Sequence, residues 1–336
     1  MPSFKEILGH DREKDLLKRA VSSGRVAHAY LFAGLSGTGK RRLALALSSV
    51  LNCSRPADGD ACGVCPDCDK ASSGSHENIT EVWPTDKDGS RADDGLIRVE
   101  EVRELQDSLK YRVERGKKAV IIEAADKMKA EAANAFLKTL EEPPADSLII
   151  LVSSRPSYLL PTILSRCQRI NFRPLPESVV RGYLVEERGI PGGEADTVAR
   201  MSAGSLAKAL NYIDTGALEK RRGLAGRLRS LKEADTLEIL SMAEELSRLD
   251  DLEEVLEFFK TVVRDKAVSS AGLPQLIVNM DMEDLLRTEG GSVKGLLASF
   301  EMIEAVRYDT TPPRYANKQL AMEALLIRLK DASLLV

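Results

Sequence analysis

Short apolar runs alternate with amphipathic stretches over the first half of the chain. The runs predict five β-strands, at Ala29–Ala33, Ile79–Trp83, Lys118–Glu123, Leu148–Ser153 and Gln168–Phe172. Between them, apolar residues recur at helical spacing, for example at Leu43, Leu47 and Val50. Strands that are apolar throughout and alternate with helices are typical of a parallel sheet covered by helices on both faces. We therefore expect an α/β fold here.

The second half of the chain carries helical patterns only. One apolar stripe starts at Leu252 and another at Met322, and such stripes are typical of helix-packing faces. The change of pattern predicts three domains: an α/β domain at residues 1–173, a small helical domain at 174–229, and a larger helical domain at 230–336.

Composition narrows the class of protein without identifying it. Hydrophobic residues make up 43% and charged residues 30% of the chain, as in ordinary globular proteins. No apolar run approaches the roughly 20 residues of a membrane span, so we expect a cytoplasmic protein with no membrane partner. The net charge of −4 disfavours a chain that binds nucleic acid over its whole surface.

Residues 34–41 nearly match the loop that binds the phosphates of a nucleotide. That loop has the pattern G-x-x-x-x-G-K followed by Ser or Thr. The matching residues, with one further glycine between them, are Gly34, Gly37, Gly39 and Lys40. A predicted strand precedes the loop and a predicted helix follows it, which is the setting in which backbone N–H groups bind an anion. The hydroxyl position holds Arg41, whose guanidinium has no lone pair to offer magnesium.

A second part of an ATPase site is also altered. The strand that ends near Ile122 runs into Glu123 and Ala124, where an ATPase has two acidic residues, one for magnesium and one for the attacking water. Glu123 can serve the first role, but Ala124 has no polar side-chain atom for the second. With Arg41 as well, two catalytic parts are missing, so we expect no intrinsic catalysis. The retained residues, including Glu123, leave two alternatives: the loop binds ATP without hydrolysis, or Arg41 blocks it.

Four of the five cysteines are clustered with the spacing C-x8-C-x2-C-x2-C. They are Cys53, Cys62, Cys65 and Cys68. Four thiolates within sixteen residues can form a tetrahedral structural zinc site, with no position left for water. The x2 spacings also occur in iron–sulfur proteins, so a cluster is the alternative. The remaining Cys167 has no neighbouring base in the sequence and is interpreted as an inert buried thiol.

Several of these segments together resemble the bacterial clamp-loader subunits of the AAA+ class, which belong to the DNA polymerase III holoenzyme. The segments are His28–Phe32, the loop at 34–41, the four-cysteine insert, Ala132–Pro144 and Leu164–Cys167. The resemblance covers residues 1–215, and the helical remainder is consistent with the collar domain of that family. It implies an AAA+ module for residues 1–173, a helical lid for 174–229 and an oligomerising collar for 230–336.

The resemblance also implies a role and partners. Arg166, within Ser165-Arg166-Cys167, would act as an arginine finger on the nucleotide of an adjacent subunit. A sensing arginine of the family is replaced by Ala207 in this chain. The implied partners are the gamma/tau and delta subunits and, through the assembled complex, the sliding clamp and primed DNA. The implied function is a largely non-hydrolysing subunit that helps load the clamp during replication.

Two other functions are compatible with parts of the sequence. A working gamma/tau-like ATPase would need Glu123 and a water molecule to replace the lost hydroxyl. A zinc-dependent nucleic-acid-binding protein would use the cysteine module as its binding element, and the net charge of −4 weighs against it.

Overall fold

The computed structural model describes residues 3–111, 113–249, 252–286, 293–310 and 316–331. These residues form two compact units. The first contains the residues up to Gly182 together with Ala203–Lys208, and the second contains Tyr183–Ser202 and the residues from Ala209 onward. The three predicted domains, with boundaries after residues 173 and 229, stay a prediction. The division into two units falls between Gly182 and Tyr183, within the helix Glu177–Arg188.

One parallel sheet forms the centre of the first unit. Its strands are β1 (Ala29–Gly34), β2 (Ile79–Val82), β3 (Lys118–Ile122), β4 (Ser147–Ser153) and β5 (Gln168–Phe172). They lie in the order β2-β3-β4-β1-β5 across the sheet. All five predicted strands are present, and the expected α/β class is confirmed. Trp83 and Glu123, which the sequence placed inside strands, each lie one residue beyond the end of theirs, because the ladder between β2 and β3 ends at the Val82–Ile122 pair.

Alternate residues of each strand point to opposite faces of the sheet, and both faces are buried at the central strands β1, β3 and β4. On one face, Tyr30 and Phe32 of β1 pack with Leu43 and Leu47 of the helix after the loop. On the other, Leu31 packs with side chains from three helices of the first unit. Burial on both sides explains why the central strands β1, β3 and β4 are almost wholly apolar, whereas the edge strands β2 and β5 carry polar residues such as Glu81 and Asn171.

The helices of the first unit cover this sheet. They are α1 (Asp11–Ser22), α2 (Lys40–Asn52), α3 (Pro66–Ser73), α4 (Val99–Leu109), α5 (Ala130–Glu141) and α6 (Pro161–Leu164), with α7 (Glu177–Arg188) continuing into the second unit. Helix α2 begins at the lysine of the phosphate-binding loop and ends one residue before the first cysteine. A single rigid element therefore joins the two candidate sites.

The second unit is helical throughout its described residues. Its helices are α8 (Gly192–Met201), α9 (Leu206–Asp214, which begins in the first unit), α10 (Ala217–Ser230), α11 (Thr236–Ser247), α12 (Leu252–Ser270), α13 (Glu283–Leu286), α14 (Val293–Thr310) and α15 (Lys318–Asp331). Helix α12 packs against α14, and α11 packs against α15. The predicted stripes form the core, with Phe259 and Leu326 among the fully buried side chains. None of the described helices combines the length and the apolar character that a membrane crossing needs.

Candidate nucleotide site and metal centre

The phosphate-binding loop joins the carboxyl end of β1 to the start of α2. Gly34 is the last residue of β1, and Gly39 is the residue immediately before α2, with φ of 100°. Gly37 has φ of 75°, and a Cβ atom there would lie 2.3 Å from the Ser205 side-chain oxygen. The Gly37 carbonyl accepts a hydrogen bond of 3.1 Å from the N–H of Ala207, in the Ala203–Lys208 segment of the same unit. Only glycine fits this contact without a shift.

Lys40 is directed back into its own loop. Its Nζ donates hydrogen bonds to the carbonyls of Gly34 at 2.8 Å and Leu35 at 2.6 Å, and the residue is only 5% exposed. Burial lowers the pKa of Lys40 to about 8, opposed in part by the charges of Glu123 and Asp126. The ammonium group therefore lies at the centre of the loop, held by backbone oxygens.

Arg41 is turned toward β2, an edge strand of the sheet. Its Nε and Nη2 donate to the two carboxylate oxygens of Glu81, at 2.7 and 3.0 Å, in a two-pronged ion pair. The guanidinium also lies 4.5 Å from the centre of the Trp83 ring, and the guanidinium of Arg91 lies 3.2 Å from the same centre. No sequence pattern indicated this group, because its members are 40 residues or more from Arg41 along the chain.

Glu123 and Ala124 follow β3 beside the loop. Burial raises the pKa of Glu123 to about 7, while the charges of Arg41 and Lys40 oppose the rise. One of its carboxylate oxygens is buried without a hydrogen-bond partner among the described residues. Ala124 has φ of 45°, a left-handed conformation that is unfavourable for alanine. The chain therefore turns sharply where an ATPase has its second carboxylate.

Asp126 is a buried carboxylate of this site, and no sequence pattern indicated a role for it. Its Oδ1 accepts hydrogen bonds from the Ser153 hydroxyl at 2.6 Å and the Ser154 N–H at 3.2 Å. Its Oδ2 lies 3.5 Å from the Arg155 Nε. Although burial raises the pKa of Asp126, these hydrogen bonds hold it below its ordinary value. Asp126 is therefore an ionised carboxylate whose oxygens are already bonded to the end of β4 and to the turn after it.

The four clustered cysteines converge on one point. Their sulfur atoms all lie within 4.8 Å of one another, and three of the separations are 3.6, 3.8 and 4.0 Å. Tetrahedral zinc with Zn–S distances of about 2.3 Å places its sulfurs about 3.8 Å apart. All four thiols are free, so none is joined in a disulfide. The geometry is that of a site able to hold one metal ion.

Backbone N–H groups point at these sulfurs. The Cys53 sulfur accepts from the N–H groups of Arg55 and Cys62, and the Cys65 sulfur accepts from the N–H of Cys68. Although burial raises the pKa of Cys65, hydrogen bonds from Ser54 and from Cys68 hold it at about 5. Donors of this kind stabilise the thiolate form, which is the form that binds metals.

Asp60 connects the cysteine module to the N-terminal segment, and no sequence pattern indicated it. Its side chain, only 2% exposed, accepts hydrogen bonds from the N–H groups of Phe4 at 3.0 Å, Lys5 at 3.3 Å and Ala61 at 2.8 Å. Phe4 is fully buried in the core below β1 and α2. The loop between Cys53 and Cys62 therefore anchors the start of the chain.

Arg166 lies at the opposite end of the sheet from the phosphate-binding loop. It precedes β5, and Phe172 at the far end of β5 is the residue aligned with Gly34. A five-residue strand spans about 16 Å. Arg166 is partly exposed, and its Nη2 donates to the carboxylate of Glu141 at 2.7 Å, while its Nη1 donates to the Thr162 carbonyl. Arg166 is therefore distant from the loop of its own chain.

Cys167 and His76 lie outside the candidate metal site. Burial raises the pKa of Cys167 to about 12, which agrees with the interpretation of an inert thiol. His76 is 5% exposed, and its Nδ1 accepts a hydrogen bond from the Asn78 N–H in the turn before β2. Neither residue belongs to the group of sulfur atoms that converge on the candidate metal position.

Comparison with protein families gives two matches. The model described as "DNA polymerase III, delta subunit" matches residues 9–176, and the one described as "DNA polymerase III, delta subunit, C terminal" matches residues 215–331. The first covers the α/β unit with the loop, the cysteines and Arg166. The second covers most of the helices that follow.

Three curated relatives carry related names. DNA polymerase III subunit delta' of Bacillus subtilis is 38% identical over 178 residues, covering 52% of this chain and 51% of the relative. Subunit delta' of Pseudomonas aeruginosa is 35% identical over 209 residues, 61% of each chain. Subunit tau of Bacillus subtilis is 24% identical over 361 residues, covering 98% of this chain and 62% of the relative. The chain thus spans about half to three fifths of the length of these relatives.

Proposed function

We propose, from the premise that this chain belongs to the DNA polymerase III delta-subunit family, that it serves as a delta-prime-type subunit of the bacterial clamp loader. The resemblance to clamp-loader subunits expected from the sequence is confirmed at the level of the family. In the proposed role the chain helps place the sliding clamp on primed DNA during replication. Its partners would be gamma/tau and delta subunits, and the clamp and DNA would be met through the assembled complex.

The observation that carries this proposal is the contrast between the chain's own nucleotide site and Arg166. At its own site the hydroxyl is replaced by Arg41, which is paired with Glu81, and the second carboxylate by Ala124. Without them the site lacks both a magnesium ligand and a group to orient the attacking water. A chain with these losses is better suited to assist a neighbouring ATPase than to hydrolyse ATP itself.

Arg166 is the residue proposed to give that assistance. Its position at the amino end of β5 is on the wrong side of the sheet for its own loop, which supports a role toward another subunit. A guanidinium presents several N–H donors in a plane and can stabilise charge on a transferring phosphoryl group. Glu141 would hold the side chain until the phosphate of the neighbour replaces it.

The cysteine module is proposed to bind one structural zinc ion through Cys53, Cys62, Cys65 and Cys68. Convergence of the sulfurs on a single centre supports a mononuclear ion over an iron–sulfur cluster. The ion would fix the loop that carries Asp60 and so hold the N-terminal segment against the sheet. Its contribution would be structural, since the four sulfurs complete the tetrahedron.

The proposed function is tested by reconstitution with gamma/tau and delta subunits, a sliding clamp and primed DNA. Arg166→Ala should leave assembly unchanged and lower the DNA-stimulated ATPase of the complex by roughly tenfold or more, since such arginines contribute about 10³–10⁵-fold at the site that they serve. Arg166→Lys should be nearly as impaired, because lysine keeps the charge but loses the planar donor set. The matched control is Arg169→Ala, an exposed arginine three residues away.

Three results would count against this assignment. Unchanged ATPase in the Arg166→Ala complex would remove the finger role, and steady ATP turnover by the isolated chain, abolished by Lys40→Ala, would favour a working ATPase instead. DNA binding by the isolated chain that weakens with salt and disappears in a Cys62→Ser variant would favour the zinc-dependent nucleic-acid-binding alternative.

A further inference from the structure

We propose that the phosphate-binding loop takes a nucleoside di- or triphosphate as the metal-free anion, with the guanidinium of Arg41 in place of magnesium. The inference rests on the proposed function, in which this chain does not hydrolyse ATP, and it takes one of the two alternatives that the sequence leaves open, namely that the loop still binds nucleotide. It specifies that the nucleotide binds without magnesium, and it names Arg41 as the residue that determines this.

The described residues around the loop do not offer magnesium the oxygen ligands that it needs. Magnesium requires near-octahedral oxygen coordination and is held in such sites by a hydroxyl and a carboxylate together with phosphate oxygens. Arg41 removes the hydroxyl. Both oxygens of Asp126 are committed to Ser153, Ser154 and Arg155. Glu123 is then the one carboxylate left at the end of β3.

The charges facing Glu123 also disfavour a divalent cation. The positive charges of Lys40, Arg41 and Arg91 and the negative charge of Glu81 act on Glu123, while Asp126 acts on Lys40. Among these groups, the guanidinium of Arg41 stands at the residue position where a magnesium-binding loop has its hydroxyl. A magnesium ion beside the guanidinium of Arg41 would meet like charge, whereas a polyphosphate would meet opposite charge.

Arg41 has donors left for a phosphate. A guanidinium carries five N–H groups, and two of its nitrogens are bonded to Glu81. Glu81 and Trp83 hold the guanidinium next to the start of α2, beside Lys40. Because this arginine is preorganised by its neighbours, it needs little reordering to accept a phosphate oxygen.

Isothermal titration of the full chain with ATP tests the inference. Titrations are made once with excess magnesium and once with EDTA. We expect ATP to bind in EDTA at least as tightly as in magnesium, to within about twofold. Tightening by magnesium of about tenfold or more would overturn the inference. Trp83 is the single tryptophan of the chain, and its fluorescence gives an independent reading because Arg41 stacks on it.

Three variants make the result specific. Arg41→Ser restores a hydroxyl and should convert the loop to binding that magnesium tightens about tenfold. Arg42→Ala, which changes the adjacent exposed arginine, should behave as wild type. Lys40→Ala should abolish binding in both buffers. If wild-type chain binds no ATP in either buffer the inference is wrong, while the subunit role, tested through Arg166 in the complex, is unaffected.

Discussion

Replacing Asp60 with alanine should loosen the whole N-terminal part of the α/β unit, although Asp60 belongs neither to a strand of the sheet nor to the phosphate-binding loop. Its carboxylate is buried and is the acceptor for three backbone N–H groups, two of them in the segment that carries Phe4. Alanine leaves these donors without an acceptor in a region from which water is largely excluded. A buried donor that loses its partner costs more than the bond itself contributed.

The size of the effect follows from the two shorter hydrogen bonds. The bonds from Phe4 and Ala61, at 3.0 and 2.8 Å, go to a charged acceptor, and each contributes about 1.5 kcal/mol or more. The bond from Lys5 at 3.3 Å is weaker and partly exposed. We expect Asp60→Ala to lower the free energy of unfolding of the first unit by about 3 kcal/mol. Asp60→Asn keeps one acceptor oxygen and should lose about half as much.

The assay is urea denaturation followed by the fluorescence of Trp83. This tryptophan belongs to the first unit, so its transition reports on that unit, while circular dichroism follows the helices of both. Asp15→Ala, an exposed aspartate of α1, is the matched control and should change the free energy of unfolding by less than about 0.5 kcal/mol. A loss below about 1 kcal/mol in Asp60→Ala would show that the N-terminal segment is held by other contacts.

Two further predictions concern Glu123 and the cysteines. Burial raises the pKa of Glu123 to about 7, so its ionisation destabilises the folded state as pH rises from about 4.5 to about 7. Glu123→Gln should therefore be more stable than wild type by about 1–2 kcal/mol at pH 8 and equal to it below pH 4. Urea titrations followed by Trp83 fluorescence measure this difference. An equal difference at both pH values would refute the raised pKa of Glu123. Purified chain should contain about one zinc ion by elemental analysis with no visible absorbance. Cys65→Ser should lose the ion, while Cys167→Ser should keep it; retention of full zinc by Cys65→Ser would contradict the ligand set.

Much of the α/β unit was predictable because its signals are local. The central strands could be found from runs of apolar residues such as Leu148–Ser153, since burial on both faces of a parallel sheet demands apolar side chains. The phosphate-binding loop and the four cysteines were also legible, because their chemistry requires fixed residue types at short spacing. The strand ends at Trp83 and Glu123 were misplaced by one residue, since the length of a strand depends on its partner.

The sequence by itself determined which chemical groups this protein has: a lysine and glycines for phosphate, four thiols for a metal, Arg166, and no hydroxyl at 41 or carboxylate at 124. Only the tertiary structure decided what these groups face. It pairs Arg41 with Glu81, 40 residues away, and Asp60 with Phe4, 56 residues away. It also sets Arg166 at the far end of the sheet from its own loop. Periodicity and motifs report neighbours along the chain, whereas ion pairs and buried hydrogen bonds form between segments that only folding brings together.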